Sequence, residues 1–339
     1  MRRLIAAVNG SLNAHHVHSA PWQLATLMAV AALLGLGGAL GLSYVAGFRA
    51  VAAVLTHFDW VWIVVALGAI AVSLLGYYVA YRSTFRAACG QVLETREMLA
   101  VVVAGFSGFL SQTSALDLRA LGATGAKARD SAVWVGALSG LEQGVLALGG
   151  CGAAIALLVG DVPISLSVSL PWAILPVPGL ALAFWLSARY GESLREHGGW
   201  RRRLAIFLDG IGLIKVLFRR SFSRDPAVPG MALYWGAEAA VLWFTLAAFG
   251  LRMSIAPLIV GFATGMLFSR RSSPLAGAGV LMVLMPISLV WAGAPLATSI
   301  VAVVAYRLIT LWLPLPIAFA MIPTLRTMLA RQNTAVTAS

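Results

Sequence analysis

The sequence predicts an all-α polytopic membrane protein of about eight transmembrane helices plus one re-entrant helical segment. Three observations lead there. Of 339 residues, 60% are hydrophobic and 11% charged, whereas soluble domains average about 25% charged and 45–50% apolar. Apolar segments recur at roughly 22–47, 60–81, 99–116, 131–159, 164–188, 228–250, 254–269, 275–292 and 296–323, and about 20 apolar residues suffice to cross about 30 Å of hydrocarbon. The net charge of +12 gathers in short loops between those segments. That is the distribution of basic loops on the inner face of a membrane, not a nucleic-acid-binding patch.

The elements follow in chain order. Residues 1–21 form a polar, cytoplasmic N-terminal tail; its His15, His16 and His18 have no Cys or carboxylate beside them, so a solvated tail is expected and no metal site. The run from Trp22 to Gly47 is too long for a signal-peptide core and lacks a cleavage site, so it reads as an uncleaved first span. Residues 22–325 then form a single integral membrane domain, with no polar interval long enough for a folded soluble domain. Span two ends at Arg82 and Arg86. Segment 99–116 is interrupted by Gly, Ser, Gln and Thr and followed by Asp117 and Arg119. If it crossed, the most basic loop would lie outside; a re-entrant segment at about 99–122 removes that conflict and keeps broken backbone against protein or a wet cavity.

The longest polar interval, Arg189 to Ala227, holds nine Lys/Arg against four Asp/Glu. Its centre, "RRRLAIFLDGIGLIKVLFRR", is spaced for an amphipathic helix on the membrane surface, or else is a plain basic connector; both readings put about 189–227 in the cytoplasm. The last span ends before Arg326 and Arg331, so residues 326–339 are a cytoplasmic tail. The chain is thus expected in the cell's inner (plasma) membrane, multi-pass, with both termini inside. Cys89 and Cys151 lie in a basic loop and an apolar helix and read as inert thiols.

Three ionisable residues fall inside the apolar segments: Glu142, Glu238 and Arg307. Arg307 is the one charged residue between Arg271 and Arg326, eleven residues after Leu296 and so about 16 Å along a helix, near the bilayer midplane. A lone guanidinium at that depth costs roughly 2.5–3.5 kcal/mol by insertion scales. Either it pairs with Glu142 or Glu238, or it faces a wet cavity and binds an anion, for which its planar fork suits phosphate. Pro314, Pro316 and Pro323 follow in the same span and are expected to kink it and free carbonyls near Thr310. In the fourth segment Gly136, Gly140 and Gly144 are spaced four apart, which allows a close helix contact. Glu142 stands about 200° from Gly140 and Gly144 and is expected to point away from that contact, toward a cavity or a packed bundle. Glu238, after Tyr234 and Trp235, is read as early in its span, lining the cytoplasmic vestibule. Asp117, Arg119, Arg82 and Arg86 form a polar group at the mouth of the re-entrant segment, either flanking charges or a headgroup-gathering patch.

Soluble catalytic apparatus is absent from the pattern: no phosphate-cradling Gly-rich loop with Lys-Ser/Thr, no H-x-x-x-H pair and no Ser/His/Asp spacing. A membrane glycosyltransferase would want outer-loop carboxylates, and "HFDWVW" offers only Asp59.

The run "APLATSIVAVVAYRLITLWLPLPIAF" resembles the last helix of the transmembrane region of lysylphosphatidylglycerol synthases, which also occurs alone as a family of bacterial and archaeal membrane proteins. Tyr306, Arg307, Thr310, Trp312 and Pro314 match its Tyr-Arg-x-x-Thr/Ser-x-Trp-x-Pro run in register. "SSPLAGAGVLM" is similar to its Pro-x-Gly-Gly-x-Gly-x-x-Glu element, keeping Pro274, Gly277 and Gly279 but with Leu281 or Met282 near the place of the Glu. "SALDLRALGATGAKARDSAVWVGALSGLEQ" is similar to its Gly-Glu-x-x-Arg segment, with Asp117 for the Glu and Arg119 one residue early. The resemblance implies a lipid-translocating fold with re-entrant helices around a headgroup cavity, here without the aminoacyl-transferase domain. The expectation is therefore a non-enzymatic, flippase-like translocase of an anionic phospholipid or polyprenyl-phosphate-linked lipid, with no cofactor and no nucleic acid. The alternative is a non-transporting membrane partner of a separate lipid-modifying or glycosyl-transferring enzyme.

Overall fold

The structure is a computed structural model that describes residues 21–90, 94–106, 128–160, 166–194, 200–221, 225–267, 274–321, 323–325 and 327. Among these the regular structure is entirely helical. Helix α1 (Pro21–Ala46) turns at Gly47 into the short α2 (Phe48–Leu55), and the two axes differ by 105°. Gly47 has φ 85°, a left-handed conformation costly for any residue with a Cβ. The sequence reading had no helix at 48–55. Asp59 caps α3 (Trp60–Cys89), its carboxylate accepting from the Val61 N–H at 3.0 Å, which gives that carboxylate a structural use.

Helix α3 runs eight residues past its predicted end. Beyond Tyr81 its sequence stays two-faced: Ser83, Thr84 and Phe85 are buried while Arg82 and Arg86 are exposed. Helix α4 (Thr95–Phe106) covers the first part of the predicted re-entrant segment; the rest of it lies outside the described residues. Then come α5 (Ala128–Val159), α6 (Leu166–Ile174) and α7 (Pro176–Tyr190), the last two nearly one span broken at Leu175 between Pro171 and Pro176.

The basic connector contains α8 (Trp200–Ser221). Its apolar residues Ala205, Leu208, Ile211, Ile214 and Leu217 recur every three residues and are buried. They pack against α5, where a Cβ on Gly210 would lie 3.3 Å from Val133 O and Ala137 N. The helix is therefore amphipathic, with its apolar face committed to the bundle. Arg129 and Asp209 pair across the same contact at 2.6 Å.

Helix α9 (Ala227–Ala248) is the hub: 67% of its apolar window is buried, against 6% for α6–α7. It packs most closely on α3. A Cβ on Gly76 would lie 2.6 Å from Tyr234 N, and one on Gly230 would lie 2.9 Å from Gly76 O and Ala80 N. Two backbones can meet that closely only because both positions are glycine. The stripe read in α5 is looser: Gly136 has nothing within 4 Å, Gly140 meets the Ile214 side chain and Gly144 meets Leu180 at 3.7 Å. Asp225, 8% exposed, joins the same pair of helices by accepting from Ser83 Oγ and from Ala227 N at 3.1 Å. The chain closes with α10 (Ile255–Met266), α11 (Pro274–Trp291), α12 (Leu296–Arg307), a π-turn over Leu308–Trp312 and α13 (Leu315–Ala320).

Five of these stretches are long and apolar enough to cross a bilayer, or six if α1 and α2 form one bent span. The outward faces carry large apolar side chains such as Leu33, Leu75, Leu175 and Trp185, each more than half exposed. Helices with all backbone bonds internal and apolar outer faces are what hydrocarbon requires. The chain is a multi-pass helical membrane protein.

Candidate functional site

The aromatic interior leads to the site. Phe85, Trp134, Tyr81, Tyr77, Tyr234, Trp235, Phe262 and Tyr306 form a continuous series of ring contacts, with centroids 4.7–6.4 Å apart. Packed rings of this kind hold their polar tips at fixed places.

Glu238 sits among them. It lies eleven residues beyond Ala227, about 16 Å along α9, and is 1% exposed. Reading it as a vestibule residue close to one end of its span is corrected: it is a mid-helix core carboxylate. Ser73 Oγ on α3 donates to its Oε1 at 3.3 Å, and the Tyr306 hydroxyl on α12 donates to its Oε2. One buried carboxylate thus fastens three helices. Ser73 and Gly76 stand three residues apart on one face of α3, so the glycine contact with α9 also sets the serine's reach to Glu238.

Arg307 follows Tyr306 as the last residue of α12 and is partly exposed, whereas Tyr306 is fully buried. At that point the helix widens. Leu313 N bonds Leu308 O at 3.1 Å, one residue further back than in an α-helix. Pro314 and Pro316 lack the N–H groups that would continue an α-ladder to Thr310 and Trp312. The span accordingly breaks at Leu313–Pro314 and restarts as α13, where the prolines were expected to kink it. Thr310, four residues after Tyr306, is 6% exposed, and its hydroxyl has no hydrogen-bond partner among the described residues. Single π-turns inside α-helices concentrate at functional sites.

Glu142 on α5 is 1% exposed, and its backbone carbonyl accepts the Trp235 indole N–H at 2.7 Å. Of the two surroundings expected for it, the structure has the packed bundle. Trp235 and Glu238 are one turn apart, so α9 meets α5 and the Ser73–Tyr306 pair within that turn. Arg82 and Arg86 lie nine and thirteen residues beyond Ser73, exposed at the far end of α3 and apart from this cluster. Asp117 and Arg119 lie outside the described residues. The sequence reading missed Ser73. Its one signal was a Ser three residues before a Gly in an otherwise apolar span. Among the described residues no three His, Cys, Asp or Glu side chains gather as metal ligands.

Fold and site together define a multi-pass helical membrane protein with a hydroxyl-clasped carboxylate in its core and an arginine at the break of its last span. No protein-family model and no curated protein matches the chain.

Proposed function

We propose that the protein is a flippase-like translocase for a lipid with an anionic headgroup, an anionic phospholipid or a polyprenyl-phosphate-linked lipid. In this reading the chain makes eight spans and one re-entrant segment in the cell's inner membrane, with both termini cytoplasmic. The observation that carries it is Arg307: a partly exposed residue with its guanidinium Nε buried, beside a buried tyrosine, where the last described span changes from α to π and then breaks. A charge at such depth is favoured only where an anion, a carboxylate or water can meet it. Its planar donors fit a phosphate in two parallel hydrogen bonds. Glu142 balances charge or accepts a cationic moiety of the headgroup. The exposed Arg82 and Arg86 gather headgroups at the inner surface, and Asp117 and Arg119 gate the cytoplasmic mouth. The resemblance of the 294–319 region to the transmembrane part of lysylphosphatidylglycerol synthases points the same way.

The test is purified protein in phosphatidylcholine vesicles carrying fluorescent phosphatidylglycerol, with exposure of the label on each leaflet read by a membrane-impermeant quencher. Wild-type protein moves the label; Arg307→Ala moves it at least tenfold more slowly, and Arg307→Lys falls between. Equal rates for wild type and Arg307→Ala would remove Arg307 from the role. Wild-type protein that moves no label but co-purifies stably with a lipid-modifying or glycosyl-transferring enzyme would favour the partner reading.

A further inference from the structure

We propose that Glu238 is a proton-carrying group that couples headgroup passage at Arg307 to a transmembrane pH gradient. The inference deepens the translocase reading and rests on it. Three features of the site point to it. Glu238 is buried midway along the hub helix, and its two carboxyl oxygens meet two hydroxyls, Ser73 and Tyr306. A hydroxyl can turn to donate or to accept. The same pair can therefore serve an ionised carboxylate or a protonated acid without leaving a buried donor stranded.

The second feature is adjacency. Tyr306 carries Arg307 as its neighbour in the chain, so the residue that meets Glu238 and the residue that meets the headgroup belong to one turn of α12. Unit charges about 10 Å apart at an effective dielectric of about 20 change one another's binding by roughly tenfold. An anionic headgroup thus favours proton uptake, and a proton favours the headgroup, reciprocally.

The third is the break. The Tyr306–Glu238 bond ties α12 to the hub immediately before the π-turn and Pro314. A hydrogen bond to a charged acceptor is about twice as strong as one between neutral groups. Proton binding on Glu238 loosens that tie where the span is already discontinuous. One proton enters from the acidic side, travels as the carboxylic acid while the anionic headgroup occupies Arg307, and leaves to the alkaline side.

The ionisable groups on elements packed against α9 are few at this level. Helix α3 brings Tyr77, whose ring meets Tyr234, and Tyr81. Helix α5 brings Glu142, α12 brings Tyr306 and Arg307, and α10 brings none. Helix α8 contributes Asp209, paired with Arg129, and the exposed Lys215, Arg219 and Arg220.

The experiment uses the full chain in phosphatidylcholine vesicles with fluorescent phosphatidylglycerol, a trapped pH dye and the membrane potential clamped with potassium and valinomycin. Wild-type protein should move the lipid toward the alkaline side about tenfold faster with a gradient of two pH units than without one, and the dye should report protons arriving with it. Glu238→Gln should move the lipid at one rate whatever the gradient, with no proton arrival. Tyr306→Phe and Ser73→Ala keep the carboxylate and should each displace the pH of half-maximal rate. Those two variants decide the matter if Glu238→Gln fails to fold. Wild-type transport indifferent to the gradient, an unaltered gradient response in Glu238→Gln, or an unchanged pH profile in both hydroxyl variants would overturn the coupling while leaving the translocase standing. A wild-type protein that moves no lipid under any gradient would overturn both.

Discussion

Replacing Gly230 by Val forces apart the two helices that hold the site. A Cβ there stands 2.9 Å from Gly76 O and Ala80 N, and both of those atoms are backbone, with no side chain free to swing away. Ordinary contact begins at about 3.5 Å, so α3 and α9 must separate by more than half an ångström along their closest approach. Overpacking of this kind costs about 1–3 kcal/mol. The two γ-methyl groups of valine put the expected loss at the upper end, about 3 kcal/mol. For a large chain about 2 °C is lost per kcal/mol, so thermal unfolding in detergent should move down by about 6 °C. Gly136→Ala is the matched control, because a Cβ at Gly136 meets nothing within 4 Å. It should gain up to about 1 kcal/mol from helix propensity alone. Gly76→Ala and Gly230→Ala should destabilise singly and fall short of additivity together, since the first substitution already opens the gap the second needs. A Gly230→Val protein that melts with wild type, or a Gly136→Ala protein that melts well below it, would refute the packing argument.

Further expectations follow from single contacts. Tyr306→Phe removes a hydroxyl donor from the buried Glu238 carboxylate and should cost about 1.5–3 kcal/mol by denaturant unfolding, more than Ser73→Ala, whose bond is long at 3.3 Å. Asp225→Ala should cost about 1–2 kcal/mol by the same measurement, because it uncaps α9 and strips Ser83 of its acceptor on the neighbouring helix. Arg129→Ala should change stability by less than about 1 kcal/mol, since its guanidinium side of the ion pair is 44% exposed.

Much of the element order was legible from hydropathy, because a segment that must be apolar over about 20 residues leaves a strong mark. Segments 22–47, 131–159 and 228–250 lie within two or three residues of helices α1, α5 and α9. Hydropathy failed where a helix keeps only one apolar face. The last turns of α3 are buried through Ser83, Thr84 and Phe85 while Arg82 and Arg86 made the stretch read as a loop. Helix α2 escaped because it is short and reads as the tail of the first span until Gly47 turns it aside. The glycine stripe in α5 had the right spacing but met a second backbone, that of Gly210 on α8, only near Gly136, and side chains at Gly140 and Gly144. The closest contact fell at Gly76 and Gly230, on two different helices, where no spacing rule within one segment can see it. The break at Leu313–Pro314 was legible because proline chemistry is local; the π-turn that precedes it was not read from the sequence. The clasp on Glu238 was not, because its three residues, Ser73, Glu238 and Tyr306, lie far apart in the chain and meet only when three helices pack.

The most direct measurement of the central claim is native mass spectrometry of the protein released from membranes of mixed phosphatidylcholine and phosphatidylglycerol. The account predicts that wild-type protein retains phosphatidylglycerol in preference to phosphatidylcholine, that Arg307→Lys retains less, and that Arg307→Ala shows no preference. Equal retention of the anionic lipid by wild type and Arg307→Ala would contradict it.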